Sequence, residues 1–137
     1  MATPVKFQCF VENLAEKVHN LGSDQLTVAL TNTAPTAATN TVLADITQIT
    51  YTNLSSRNVT TSTSSQSGGT YKLVLTDLVL TSSGGTTGPF RYVVLYNSTA
   101  AGGPLIQYYD YASSIALADT ETFTIDFDAT NGAIQLT

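Results

Sequence analysis

The chain has 137 residues, which is enough for one domain and too few for two of ordinary size. Only 11% of the residues are charged, while 24 threonines and 12 serines make the chain polar without charge. This composition argues against a solvated helical bundle and favours β structure, because threonine is β-branched. A net charge of −5, with five scattered basic residues, excludes nucleic acid as a main partner.

The single cysteine, Cys9, excludes an internal disulfide and a cysteine-based zinc site. No apolar run approaches the roughly 18 residues of a membrane-spanning helix, so we expect no membrane partner. Residues 1–10 lack the basic start and the apolar stretch of a secretion signal. We therefore expect the protein to be made and folded in a cytoplasm.

One short amphipathic helix is predicted over residues 10–21. Its apolar residues recur at helical spacing, and Gly22 is well placed to end it. The helix is expected to dock by this apolar face on one end of a β core. The residues that form the face are Phe10, Leu14, Val18 and Leu21.

Residues 1–9 allow two interpretations. They could be an arm that hooks a neighbouring molecule, since Pro4 disfavours both a helix and a strand ladder at that point. Alternatively, Val5, Phe7 and Cys9 could face inward as the first strand of the β core.

The remaining residues, 22–137, are predicted to form strands joined by turns. Asp77 interrupts the alternation of its strand, which suggests a bulge, and Asn131-Gly132 predicts a hairpin between the last two strands. Residues 32–40 are expected to form a loop or an edge crossing, and residues 113–119 a connection. Residues 42–51 fit neither period well and are expected to form an irregular strand or a turn-rich connection. The segments with the alternation or β-branching of strands are 26–31, 59–63, 71–80, 89–97, 105–111, 122–128 and 133–136.

Two strands carry more specific expectations. Residues 26–31 alternate and should bury one face, whereas residues 89–97 are apolar on both faces and should be central. The elements together predict an all-β protein, an antiparallel β-sandwich of jelly-roll-like topology with one short N-terminal helix. It forms a single domain over residues 1–137. The absence of tryptophan argues against an immunoglobulin-like topology.

The residue types that catalysis requires are scarce. His19 is the only histidine, and no Gly-x-Ser-x-Gly motif accompanies it. The acidic residues flank strands without selecting a pair, and residues 126–132 depart from the spacing of a calcium loop. We therefore expect no enzymatic activity, no catalytic residue, no cofactor and no metal ion.

Tyrosines are concentrated between residues 92 and 111. Alternation places Tyr92 and Tyr96 on one face of their strand, and Tyr109 and Tyr111 on one face of the next. They could pack across strands inside the sandwich, or form a contact surface for a partner protein or a carbohydrate. The candidate partner interface comprises Val5, Phe7, Arg57, Tyr92, Tyr96, Tyr108, Tyr109 and Tyr111.

Five segments of the chain resemble a group of small virion proteins of tailed bacteriophages. The segments are 14–24 (LAEKVHNLGSD), 26–35 (LTVALTNTAP), 69–75 (GTYKLVL), 88–97 (GPFRYVVLYN) and 117–127 (LADTETFTIDF). The resemblance covers nearly the whole chain in order and implies a phage structural protein. Within that group the chain is most similar to the jelly-roll cement, or head-decoration, class.

This resemblance implies a non-enzymatic protein that binds the major capsid protein lattice on the capsid exterior and stabilises the head. It implies a homo-oligomer, made in the cytoplasm of a bacterial host and located in the virion. The alternative is a phage tail or fibre β-sandwich module that binds host carbohydrate or another tail protein. The run Tyr108-Tyr109-Asp110-Tyr111 suggests this alternative, because sugar sites combine aromatic rings with carboxylates.

Overall fold

The computed structural model describes residues 2–137, which form ten strands and one α-helix. The helix, α1, spans Gln8–Ala15, and a single 3-10 turn spans Leu43–Asp45. The strands are β1 (Pro4–Lys6), β2 (Leu26–Thr31), β3 (Asn58–Val59), β4 (Thr61–Ser67), β5 (Thr70–Leu75), β6 (Leu78–Thr81), β7 (Thr87–Asn97), β8 (Leu105–Leu117), β9 (Thr122–Ile125) and β10 (Ile134–Leu136).

All the strand pairs are antiparallel. A five-stranded sheet has the order β1-β8-β7-β2-β3, and a three-stranded sheet (β10-β5-β4) and a two-stranded sheet (β6-β9) pack against it. β7-β8 and β4-β5 are hairpins, whereas β2-β7 and β10-β5 join strands far apart in sequence. The predicted all-β sandwich with one short helix is confirmed.

The main core lies between the five-stranded sheet and the two smaller sheets. Val28 and Leu95 from the large sheet and Leu73, Leu80 and Ile125 from the smaller sheets are fully or almost fully buried there. Removal of such aliphatic side chains from water is the main stabilising contribution to a fold of this size.

The opposite face of the five-stranded sheet is also covered. Ala29 and Val94, on β2 and β7, pack against Ile46 of the long segment between β2 and β3, and against Phe7. β7 is therefore central and apolar on both faces, as its sequence predicts. For β2 the prediction of one buried face is wrong, because Ile46 and Phe7 pack on its second face and all six residues are buried.

The helix is shorter than predicted, since α1 ends at Ala15 and not at residue 21. The amide of Lys17 donates to the carbonyl of Leu14 and the amide of Val18 to that of Asn13, which is the Schellman arrangement. Lys17 itself adopts a left-handed conformation with φ of 69°. The chain thus changes direction at Lys17, five residues before Gly22. Because of this change, the side chain of His19 is buried.

Residues 71–80 form two strands in different sheets, so the predicted bulge at Asp77 is wrong. β5 pairs with β4 and β10, whereas β6 pairs with β9. The Asp77 carboxylate accepts a hydrogen bond of 2.9 Å from the amide of Phe127. Asp77 therefore marks the crossing between the two sheets.

Two further connections differ from the predictions. Residues 113–117 continue β8, because Leu117 pairs with Thr87 at the far end of β7. Asn131-Gly132 forms a turn in which Gly132 has a φ of 85°, but no hairpin follows. The strands on either side of this turn, β9 and β10, pair with β6 and β5 respectively.

The N-terminal residues form a strand at the edge of the five-stranded sheet. Val5 pairs with Tyr108 of β8, and 40% of Val5 is exposed. Phe7 follows β1 and is completely buried, while Cys9 lies in α1. Val5, Phe7 and Cys9 are the residues expected to face inward in a first strand. Of these, only Phe7 is part of the core.

Candidate functional site

Four residues of the predicted partner interface are buried in the chain itself. Phe7 is completely inaccessible, and 3–8% of Tyr92, Tyr96 and Tyr109 is exposed. These rings pack inside the sandwich, which is the other interpretation of the tyrosines. Tyr109, for example, packs edge-on against Phe127, with 6.0 Å between the ring centroids. In this fold Phe7 offers no surface to a partner and the three tyrosines offer little, so these residues contribute mainly to packing. Their role in a partner interface stays a prediction.

The other predicted interface residues do not form one surface. Arg57 lies 3.7 Å above the ring of Tyr51 and donates to the carbonyl of Val28 at 2.6 Å, so it fastens the segment before β3 to β2. Val5 is on the outer edge of the large sheet. The rings of Tyr108 and Tyr111 are partly buried against Phe7 and Phe123, at 5.4 and 5.0 Å respectively.

The run Tyr108 to Tyr111 is divided between the two faces of its sheet. Tyr108 packs on the side of Phe7, and Tyr109 packs in the main core. The Asp110 carboxylate is held by Arg91 through two hydrogen bonds of 2.8 and 3.0 Å. The geometry therefore does not bring this carboxylate and the two rings together as one platform.

A different apolar surface is formed by α1 and the edge strand β10. Val11, Val18 and Leu136 are 53%, 38% and 42% exposed, and half-buried Leu14 joins them. Leu14 and Leu136 line two adjoining cavities, one containing Val11 and the other Val18, so the residues are contiguous. We call Val11, Leu14, Val18 and Leu136 the α1–β10 surface. The sequence did not indicate it, because β10 lies far from α1 along the chain.

The larger of these cavities has a volume of about 630 Å³. It is open and lies between the end of α1, the loop of residues 17–24, and strands β5 and β10. Its apolar wall includes Leu14, Val18, Leu21 and Leu136, while Lys17 and His19 are among its polar lining residues. This size is in the range of small-molecule sites.

His19 is buried at this cavity, with 5% of the residue exposed. The predicted helix of residues 10–21 would include His19 near its end, but α1 ends four residues earlier, at Ala15. Its Nδ1 is 3.1 Å from the side-chain nitrogen Nδ2 of Asn97. The centroid of its ring lies 5.2 Å from that of the Phe10 ring. The same Asn97 nitrogen donates to the Asp24 carboxylate at 2.6 Å.

Asn97 fixes the tautomer of His19. The side-chain oxygen of Asn97 accepts hydrogen bonds from the amides of Thr99 and Ala100, at 3.0 and 3.1 Å. Its NH₂ group must therefore face His19, and an NH₂ group can only donate. Nδ1 of His19 accepts, so in the neutral ring the proton is on Nε2.

The Nε2–H of His19 has no hydrogen-bond partner, and it is the only buried side-chain polar atom of residues 2–137 in that condition. Burial lowers the pKa of His19 below its usual 6.5, and the charge of Asp24 opposes this shift only in part. The ring is therefore neutral at pH 7. Neither Asn97 nor Asp24 was identified from the sequence, since only the fold brings them to His19.

No set of three or more histidine, cysteine or carboxylate side chains is grouped to hold a metal ion within residues 2–137. Asp128, in the segment 126–132 that departs from the spacing of a calcium loop, accepts hydrogen bonds from the amides of Thr130 and Asn131. These bonds, with one from the Asn131 side chain, lower the pKa of the Asp128 carboxyl group. Asp128 thus fastens the turn before β10.

No family model, curated protein or solved structure matches this chain. In the part of the chain that the structure describes, no helix is long and apolar enough to cross a membrane. The functional argument therefore depends on the α1–β10 surface, on the cavity beside it, and on the resemblance of the sequence segments.

Proposed function

We propose that this protein is a non-enzymatic structural protein of a tailed-bacteriophage virion. In this proposal it binds the major capsid protein on the capsid exterior, as a homo-oligomer, and reinforces the assembled head. It is made in the cytoplasm of the bacterial host before it joins the particle. The α1–β10 surface is the part of the molecule that contacts a capsid subunit.

The observation that carries the proposal is the grouping of exposed apolar side chains. Three of the five most exposed large apolar residues of the described chain, Val11, Val18 and Leu136, belong to the α1–β10 surface. Scattered apolar residues are ordinary on a protein surface, but a contiguous group indicates a contact with another protein. A binding protein with little surface charge needs such a group for affinity.

The segments that resemble virion proteins contribute to this surface. Residues 14–24 supply Leu14 and Val18, together with the loop that borders the cavity. The surface is small, and one copy would bind weakly. On a repeating lattice, linked copies gain avidity because the second contact forms within the same assembly. A homo-oligomer is therefore part of the proposal.

Co-sedimentation with capsids that lack this protein tests the proposal. The wild-type chain is expected in the capsid pellet. Val11→Asp places a charge at the most exposed residue of the α1–β10 surface and should reduce the bound fraction by about tenfold or more. Val11 lies on the outer side of α1, so thermal unfolding should change little.

Val79→Asp is the matched control, because Val79 is 51% exposed on β6 and Val11 is 53% exposed. This variant should bind like the wild type. Absence of the wild-type chain from the pellet would overturn the proposal of capsid binding. Equal losses for the two variants would show that the α1–β10 surface is not the contact.

A further inference from the structure

His19 lines the cavity between α1 and β10, and its ring holds a buried donor that the protein does not use. Nε2–H of His19 is buried without an acceptor, and the bonds of Asn97 prevent the proton from moving to Nδ1. A buried donor without an acceptor costs free energy, because it loses its hydrogen bonds to water on folding and gains none in return. A ligand that brings an acceptor into the cavity would recover this cost.

Lys17 is the second unusual residue of the cavity. It occupies the left-handed position after a helix, with φ of 69°, where glycine would be free of strain. Its amine forms no ion pair within residues 2–137, where the single ion pair joins Arg91 and Asp110. This strained lysine places a positive charge on a cavity lining that also carries the negative charge of Asp24, and no ion pair ties the two together.

The remaining lining defines the body of a ligand. Leu14, Leu21 and Leu136 provide an apolar wall. Asp24 also lines the cavity, but its Oδ2 already accepts from the amide of Asn20 at 2.8 Å and from the side chain of Asn97. The cavity therefore combines an apolar wall with two unused donors, Lys17 and His19.

We propose that this cavity binds a small amphipathic carboxylate. The hydrocarbon body lies against Leu14, Leu21 and Leu136, and the carboxylate accepts hydrogen bonds from Lys17 and from Nε2–H of His19. Since Nε2 is covered, binding includes a small movement of the exposed loop of residues 17–20. This inference does not depend on capsid binding.

The test is a titration of the isotope-labelled full chain with octanoate, followed by NMR. Octanoate is expected to give saturable shifts at Leu14 and Leu136 and at the Nε2–H of His19. Octanol and octylamine have the same hydrocarbon chain without the carboxylate, and each should bind at least about tenfold more weakly than octanoate. Absence of saturable shifts up to about 10 mM octanoate would overturn the proposal.

Substitution of Lys17 separates the charge from the fold. Lys17→Gly removes the charge and relieves the backbone strain, so it should fold at least as stably and bind octanoate about tenfold more weakly. Lys17→Arg keeps the charge and should retain binding. Wild-type affinity in Lys17→Gly, or equal binding of octanol and octanoate by the wild type, would contradict carboxylate recognition.

Discussion

His19 and Asn97 show how one side-chain amide can control the titration of another residue. Asn97 is held by the amides of Thr99 and Ala100, so it cannot turn its oxygen toward the ring. Protonation of Nδ1 would place two donors opposite each other at 3.1 Å. Asp24 and Lys17, the charged groups beside the ring in the cavity, do not relieve that contact.

Stability is therefore expected to fall in mildly acidic solution. Because the folded pKa of His19 is lowered, the unfolded chain binds the proton first as the pH decreases. The contribution of neutral His19 is complete above about pH 6.5 and is lost as the pH falls toward the lower folded pKa. Urea unfolding should give a smaller free energy of unfolding at about pH 5.5 than at about pH 7.5.

His19→Asn is the control for this pH dependence. It keeps an acceptor near Asn97 and removes the titrating ring, so the difference between the two pH values should disappear. The carboxylates whose pKa is lowered, such as Asp110 and Asp128, contribute only at more acidic pH. A wild-type protein with the same stability at both pH values would contradict the role assigned to His19.

At the scale of elements, the N-terminal strand is exposed and the residue after it is buried. Val5 is 40% exposed on β1, whereas Phe7 is completely buried against the large sheet, in one cluster with Val94 and Ile46. The amide of Phe7 also donates to the carbonyl of Ile106. The strand is thus anchored by the residue that follows it and not by its pairing alone.

Phe7→Ala should reduce the free energy of unfolding by about 3–5 kcal/mol, as truncation of a large core residue does. Val5→Ala should change it by about 0.5 kcal/mol or less, because Val5 contacts solvent. Deletion of residues 1–4 leaves Phe7 in place and should also cost little. Denaturant unfolding measures all three, and a large loss on deletion of residues 1–4 would show that the early pairing of β1 is essential.

At the scale of the whole molecule, the segment between β2 and β3 acts as a third layer. It contains one short 3-10 turn, yet Ile46 within it is only 7% exposed and packs on the large sheet with Val94 and Tyr96. Backbone bonds also hold it, since the amide of Ile49 donates to the carbonyl of Leu30. The segment covers the second face of the large sheet. The residues of β7 on that face are apolar because they are buried beneath it.

Ile46→Ala should therefore reduce the free energy of unfolding by about 2–5 kcal/mol, although Ile46 lies outside regular strands. The neighbouring Thr47 is exposed, and Thr47→Ala should have an effect of about 0.5 kcal/mol or less. Both values come from denaturant unfolding. Similar small effects of the two substitutions would mean that the segment is a loop without a structural role.

Several features could be predicted from local patterns because their causes are local. The two apolar faces of residues 89–97 require burial on both sides, and the alternation of Phe123 and Ile125 gives a strand with one inner face. The β-branched residues 59–63 predict a strand, and the structure divides them between β3 and β4, each of which is an edge strand of its sheet. The strand class of the fold follows from these patterns.

Other features were decided by contacts between distant residues. Gly22 is a good helix end by its chemistry, but burial of His19 and Leu21 moved the end of α1 to Ala15. Asn131-Gly132 forms the turn that its residues favour. The main chain of β10, however, pairs with β5 and not with β9. Burial of Tyr92 and Tyr109 likewise depended on which sheet covered each ring.

The amino-acid sequence by itself thus determined the strand-rich class, the approximate position of most strands and the two-sided burial of β7. It did so because side-chain alternation and β-branching act within a few residues. The tertiary structure alone decided the strand partners, the end of the helix, and the cavity that joins Lys17 and His19 to Leu136. These depend on the free energy of burying surfaces that come into contact only when the chain folds. No local sequence pattern indicates which surfaces those are.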